Sequence, residues 1–181
     1  MTDIHLAPPG RVRQRLTEAG IGLPDPHVTH FDYIPVSIHG TTAYLAGQIP
    51  KTDADEILVT GRLGESVGVE DGKAAARLAA GQGLAWLDAL AGGLDNVARV
   101  LRMDFFCAVD DAFADMSLVA DAASGILVAA FGEAGRHPRS VIGVRRLPRN
   151  SPVLLDLAVA LHASPANAAL PARQPQEPHL T

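Results

Sequence analysis

The tightest constraint on this chain is a nine-residue run near its C-terminal end, Val153-Leu-Leu-Asp-Leu-Ala-Val-Ala-Leu161, in which eight residues are apolar. A run this short and this rich in Val and Leu reads as a β-strand, and apolar residues at nearly every position call for cover on both faces. Helices of the same chain can cover one face. The other needs a cover that a single domain does not easily supply, and further copies in a closed symmetric assembly are its simplest source. The one charge in the run, Asp156, is the most isolated carboxylate in the sequence. A buried carboxylate is costly without a partner, so Asp156 is expected to hydrogen-bond, to meet a cation such as an arginine, or to carry a raised pKa suited to proton transfer.

The 181 residues, 48% of them hydrophobic, suffice for one domain with a real core. Residues 1–29 read as an N-terminal appendage with a short helix over Arg11–Ala19, stopped by Gly20 and followed by the extended Leu-Pro-Asp-Pro link. Residues 30–162 form the predicted domain. A hairpin spans Phe31–Gln48, and Ile57–Thr60 is expected to add a third short strand. Asp71–Leu90 is the strongest helix, with Ala75, Leu78, Ala79, Leu84, Leu87 and Leu90 on one face. Its small residues, Gly83 among them, weaken the helix and are justified only by close packing on a sheet. A strand over Val97–Val109, a second long helix over Asp115–Phe131, and strands Ser140–Val144 and Val153–Leu161 complete the order βββαβαββ. The fold class is α+β, a mostly antiparallel sheet with two long helices packed on one face. Residues 163–181, rich in Pro and Ala, read as a mobile tail.

The stretch Phe131–Pro148, FGEAGRHPRSVIGVRRLP, carries the main candidate for chemistry. Gly132 and Gly135 can stop a helix, and Pro138 biases His137 to extended conformations, so Arg139 stands at the start of a strand. A guanidinium fixed there suits a carboxylate or phosphate, because its planar fork grips two oxygens and stays charged at any working pH. The bland alternative is a surface salt bridge. Gly47-Gln48 follows the strand run Ala43–Ala46; glycine lets a ligand approach closely and the amide both donates and accepts, although plain turn chemistry explains the pair as well.

Several functions find no support. A formal net charge of −5 offers no general attraction for nucleic acid. The single cysteine, Cys107, lies in an apolar run; it excludes an intrachain disulfide and a multi-cysteine metal site, and reads as an inert core thiol rather than a catalytic partner of His137. The seven histidines are scattered without HExxH spacing, so no metal is expected. The Gly-rich segments lack Walker or dinucleotide spacing, and no GxSxG elbow is present, so no cofactor is expected either. The first ten residues do not resemble a signal peptide and no run approaches the ~18–20 apolar residues of a membrane span. A soluble cytoplasmic protein is expected.

The run AYLAGQIP (43–50), the helix Asp71–Leu90, the strand after Leu94-Asp95-Asn96, the stretch FGEAGRHPRSVIGVRRLP and the closing strand with Asp156 together resemble the RidA family, also called YjgF. More narrowly they resemble its longer subgroup marked by FGEAGRHxRSxxGV, over about residues 30–162. The resemblance implies a chorismate-mutase-like fold and a homotrimer with sites in clefts between subunits. It implies hydrolysis of reactive enamines and imines to 2-keto acids and ammonia, with Arg139 gripping the substrate carboxylate, Gly47 and Gln48 as strand-end contacts, and Asp156 in the place of a water-positioning glutamate. Ser140 and Val141 then follow the anchor in the pocket, and the helix facing it carries Asp121 and Ser124 where an asparagine is usual. Asp156 is one methylene shorter than glutamate, and a misplacement of ~1 Å can cost about a hundredfold in rate. The alternative implied is therefore a noncatalytic trimer that binds a small carboxylate metabolite. An endoribonuclease or translation-inhibitor role, an old label in the family, fits the acidic charge and the missing His/Lys/His cluster least.

Overall fold

The closing run is a strand, and it lies in the middle of the sheet. In the computed structural model, which describes residues 10–26 and 31–165, the elements follow the order α1 (Arg11–Glu18), β1 (Val36–His39), β2 (Thr42–Gln48), α2 (Val69–Leu90), β3 (Val97–Ala108), α3 (Met116–Phe131), β4 (Arg139–Val144) and β5 (Val153–Leu161). The five strands form one sheet in the order β1-β2-β5-β3-β4. All neighbours are antiparallel except β3 and β4, which run parallel with α3 as their crossover. α2 and α3 lie side by side, α2 over β2 and β5, α3 over β3 and β4, so both long helices cover one face of the sheet. The expected tail beyond residue 165 lies outside the described residues.

Alternation along β5 shows which face the helices cover. Val153, Leu155, Leu157, Val159 and Leu161 are buried in the core, whereas Leu154, Asp156, Ala158 and Ala160 are half-buried on the opposite face. That second face carries no helix, and the exposed Tyr44 and Ile142 lie on it with them. The small residues of α2 serve the close approach their sequence calls for: a Cβ on Gly83 would meet Leu45 Cδ2 at 2.8 Å.

Two sequence expectations change. Ile57–Thr60 forms no strand. Ile57 makes only an isolated bridge to Lys51, because β1 and β5 already occupy both edges of β2. Against the expectation of no membrane-length run, Met116–Gly135 is long and apolar enough to cross a bilayer by length and composition. Its Val119, Ala120, Ala123, Leu127 and Ala130 are fully buried in the core, which makes it a core helix.

The N-terminal helix is tied to that core. Val12 and Leu16 are buried within it, and Arg13 Nε donates to Asp88 of α2 at 2.8 Å. Gly10 precedes the helix and has no side chain to cap it. The carboxylate of Asp95, from the turn before β3, does so instead, accepting from the backbone N–H of Arg11 at 2.9 Å and of Val12 at 3.0 Å. These are two of the N–H groups a helix start leaves unpaired, and a carboxylate there also meets the positive end of the helix dipole. Asp95→Ala is expected to destabilise the protein by about 1 kcal/mol, the usual cost of a lost cap, read as a lower urea midpoint at unchanged slope.

Candidate functional site

Arg139 opens β4 opposite Met103 of β3, on the helix-covered side of the sheet. Its side chain turns toward α3. Nη1 donates to Ser124 Oγ at 2.8 Å and Asp121 Oδ1 at 3.2 Å, and Nη2 donates to the Ser117 carbonyl at 3.3 Å. A guanidinium has five N–H donors. Among the described residues, Nε–H and one Nη2–H have no protein acceptor. The side chain is 24% exposed and its carboxylate neighbour Asp121 is 75% exposed, so the anchor is held by the helix yet remains open to solvent. His137 stands beside it, its Nδ1 2.6 Å from the Gly135 carbonyl and its Nε2 3.3 Å from Ser124 Oγ. The turn that carries these groups fits against α3 only with glycine at 135, since a Cβ there would lie 2.2 Å from the Leu127 carbonyl oxygen. Burial, with a smaller contribution from the Arg139 charge, holds the His137 ring below the usual histidine pKa despite the Gly135 bond.

Gly47 and Gln48 lie elsewhere, at the end of β2. They line a cavity of about 710 Å³ together with Tyr33, Trp86, Arg149 and Leu154. Gln48 Nε2 donates to the Ala46 carbonyl at 2.7 Å. Gln82, buried in α2 and also in the cavity wall, donates to the Lys51 carbonyl at 2.7 Å. Arg149 donates to Asp55 Oδ2 at 3.2 Å across the rim, from a turn where its own φ is 55° and that of Asn150 is 56°. Tyr33, Gln82, Trp86 and Arg149 are absent from the sequence reading. A signal existed for Gln82, a lone amide between two glycines in the otherwise apolar stretch 78–87 of its helix; Arg149 had none, because its left-handed backbone is not written in its residue type.

Asp156 belongs to a third group, on the uncovered face. It pairs in register with Asp104, which pairs with Ser140. Arg102 Nε donates to Asp104 Oδ2 at 2.9 Å and its Nη2 donates to Ser140 Oγ at 2.7 Å. Asp104 Oδ1 lies 2.7 Å from Nη2 in ion-pair contact but without hydrogen-bond geometry, and it is otherwise buried and unpartnered among the described residues. Arg102 pulls the Asp104 carboxyl below its ordinary range. Burial, and then the Asp104 charge, push Asp156 above its own range, with Arg102 opposing. Of the three outcomes open to Asp156, its surroundings favour a raised pKa, with Arg102 near enough to oppose it.

Within one chain the predicted residues therefore fall into separate groups. Arg139 and Asp121 meet on the helix side, Gly47 and Gln48 meet in the cavity, and Ser140 and Asp156 share the uncovered face. Val141 packs against the core. Gln48, Leu155, Phe105 and Val141 form one row across the sheet, so the end of β2 and the start of β4 stand three strand spacings apart, roughly 14 Å. Cys107 is fully buried in β3, and burial pushes its thiol up to about 12, which leaves it inert as a nucleophile. Among the described residues no three His, Cys, Asp or Glu side chains are grouped to hold a metal.

A sheet covered on one face by two long helices, with an arginine at the mouth of its parallel pair, defines a chorismate-mutase-like α+β protein. The chain belongs to the YjgF family: residues 13–161 match the family described as "YjgF/chorismate mutase-like, putative endoribonuclease". It is 37% identical over 154 residues to Protein TCP17 of Trypanosoma cruzi, covering 84% of this chain and 96% of that protein. A crystal structure from Shewanella oneidensis bearing the same endoribonuclease description is similar with a TM-score of 0.80 and 32% identity, over 84% of this chain and all of that one. The protein Atu1372 of Agrobacterium tumefaciens, described as of unknown function, is similar with a TM-score of 0.74 and 35% identity, over 83% and 91% of the two chains.

The raised pKa of Asp156 makes a stability prediction. Below the ordinary carboxylate pKa of about 3.9 both folded and unfolded chains are protonated there and nothing is lost, whereas above the raised value only the folded chain bears the cost of a desolvated charge. Asp156→Asn is expected to raise the thermal midpoint at pH 7 and to lose that advantage as the pH falls below about 4. Equal effects at both pH values in a pH-resolved melting series would contradict this.

Proposed function

We propose that the protein is a cytoplasmic homotrimer that binds small 2-imino acids in clefts between subunits and hydrolyses them to 2-keto acids and ammonia, with neither metal nor cofactor. The observation that carries the reading is Arg139: a charge held by α3, open to solvent, and left with two unassigned donors that suit a carboxylate. Asp121 and Ser124 set the orientation of that fork. Gly47 and Gln48, in the cavity at the end of β2, are the contacts for the rest of the substrate, and Ser140 and Val141 are the strand positions that follow the anchor.

Assembly follows from two features. The helix-free face of the sheet is largely apolar, with Tyr44, Leu154, Ala158 and Ile142 on it, and a second copy is the cover that fits it. The roughly 14 Å between the β2 and β4 groups within one chain also supports a site completed by two subunits, one giving Arg139 and the other the cavity. In this scheme Asp156, from that same apolar face, orients water toward the imine carbon and its raised pKa suits it to exchange a proton.

A second reading has its own support. Asp156 and Arg139 lie on opposite faces of their own sheet, and a carboxylate anchor without a positioned acid binds without turnover. On that reading the protein is a noncatalytic carboxylate-binding trimer. RNA binding fits neither the charge nor these groups.

Purified protein is expected to speed keto-acid formation from 2-iminopropanoate generated in place by an amino-acid oxidase. Arg139→Ala should lower that rate about ten- to a hundredfold, the loss of a hydrogen bond to a charged group worth about 1.5–3 kcal/mol. Pyruvate-induced thermal stabilisation that depends on Arg139, with no turnover, establishes the binding protein instead. A protein that neither turns over nor responds to Arg139→Ala sinks both, and a monomer by sedimentation sinks the intersubunit cleft.

A further inference from the structure

We propose that Ser124 and His137 form the proton relay of the Arg139 site, the Ser124 hydroxyl meeting the attacking water and His137 acting as the base behind it. The inference rests on the hydrolytic reading above and puts these two residues in place of Asp156 as the groups that meet the water. It starts from the chemistry of three contacts. Arg139 Nη1 can only donate, so at 2.8 Å Ser124 Oγ accepts from it and the serine proton must point elsewhere. The Gly135 carbonyl can only accept, so at 2.6 Å the proton of the His137 ring sits on Nδ1. Nε2 is then left as a lone pair, 3.3 Å from Ser124 Oγ, and is the acceptor that remains for the serine proton. Each hydrogen in the chain Gly135–His137–Ser124–Arg139 is thereby assigned by its neighbours.

The surroundings keep this tautomer. Arg139 faces the ring from β4 and Ser124 faces it from α3; Asp121 lines the same groove and pairs with Arg139, and Arg136, next to His137 in the turn, pairs with Glu133 at 3.0 Å. Burial and Arg139 favour the neutral ring. The same guanidinium polarises the serine oxygen, which makes its proton easier to pass on. Asp121, Ser124, Arg136, His137 and Arg139 line one groove beside α3, together with Gly125 and Val128. A substrate carboxylate on the two remaining Arg139 donors would share this groove with Ser124 and His137, while Asp156 of the same chain is on the other side of the sheet.

The hydrolysis balances through this relay. Water oxygen attacks the carbon of a protonated imine; the water proton passes to Ser124 Oγ as the serine proton passes to His137 Nε2, and the C=N π pair becomes the nitrogen lone pair. The resulting imidazolium returns its proton by the same path to the amine nitrogen. The carbinolamine hydroxyl then loses its proton to the relay while the C–N bond breaks, its pair leaving with ammonia. That last proton ends on ammonia, so an iminium and one water give a ketone and one ammonium ion.

The test is the pH profile of kcat/KM for 2-iminopropanoate hydrolysis, measured on the full chain together with pyruvate-induced thermal stabilisation. Wild type is expected to lose rate toward acid with an apparent pKa below the ordinary histidine value of about 6.5. His137→Gln should lower kcat about a hundredfold or more, abolish that acid limb and keep the pyruvate response. Ser124→Ala should likewise lower kcat and abolish the acid limb, with a weakened pyruvate response because Ser124 also orients Arg139. Retention of the wild-type rate or acid limb in both variants overturns the relay and leaves the hydrolytic reading standing. A wild-type protein that responds to pyruvate without turnover removes that reading, and the relay with it.

Discussion

The structure depends on one insertion: β5 sits between β2 and β3 and pairs with both. Residues 42–48 and 97–108 are far apart in sequence, and only the strand at 153–161 joins them into one sheet. Every buried side chain of β5 points at the helix-covered side, so the same strand that closes the sheet also supplies, with β2, the floor on which α2 packs. Such pairing is wholly nonlocal, and its loop-closure cost is met only when the last structured segment arrives. That explains why the run is so uniformly apolar. A central strand gains from burial on the helix side, and with strands paired on both its edges the apolar residues of its other face, Leu154, Ala158 and Ala160, are half-buried as well.

The same strand imposes the electrostatic layout. Period-two alternation sends Asp156 to the uncovered face, where it meets Asp104 and Arg102, and one row away the parallel pairing of β3 with β4 sends Arg139 to the helix side. Two charges that a linear motif presents as partners are thus divided by the thickness of a sheet. Asp104, Asp156 and Arg102 on the uncovered face cannot all be satisfied together, and Asp156 is the group left with the desolvation cost. On the other face, Arg139 is bound into a hydrogen-bonded set that runs through Ser124 and His137 and orders the polar groups of the groove beside α3.

Much of this was legible in the residues. The helical spacing of Ala75–Leu90, the apolar run of β5 and the Gly-Pro punctuation before Arg139 locate the two helices, the central strand and the start of β4 within a residue or two of their observed bounds, because these features are set by local periodicity. Ile57–Thr60 misled for the converse reason: its residues favour a strand, but a strand also needs an open edge, and edges belong to the whole sheet. The carboxylate cap that Asp95 gives α1 across 83 residues of chain, and the meeting of Tyr33, Trp86 and Arg149 around Gly47, carry no local signature at all.

The chain's residue order thus decides its α+β class, its central apolar strand and the rigid placement of an arginine after Pro138, since each follows from interactions among neighbours in sequence. Which groups share a face or a cavity is decided only in three dimensions. Strand register and the parallel pairing of β3 with β4 assign Arg139 to Ser124 and His137 and Asp156 to Asp104, because in a sheet a shift of one residue exchanges one face for the other.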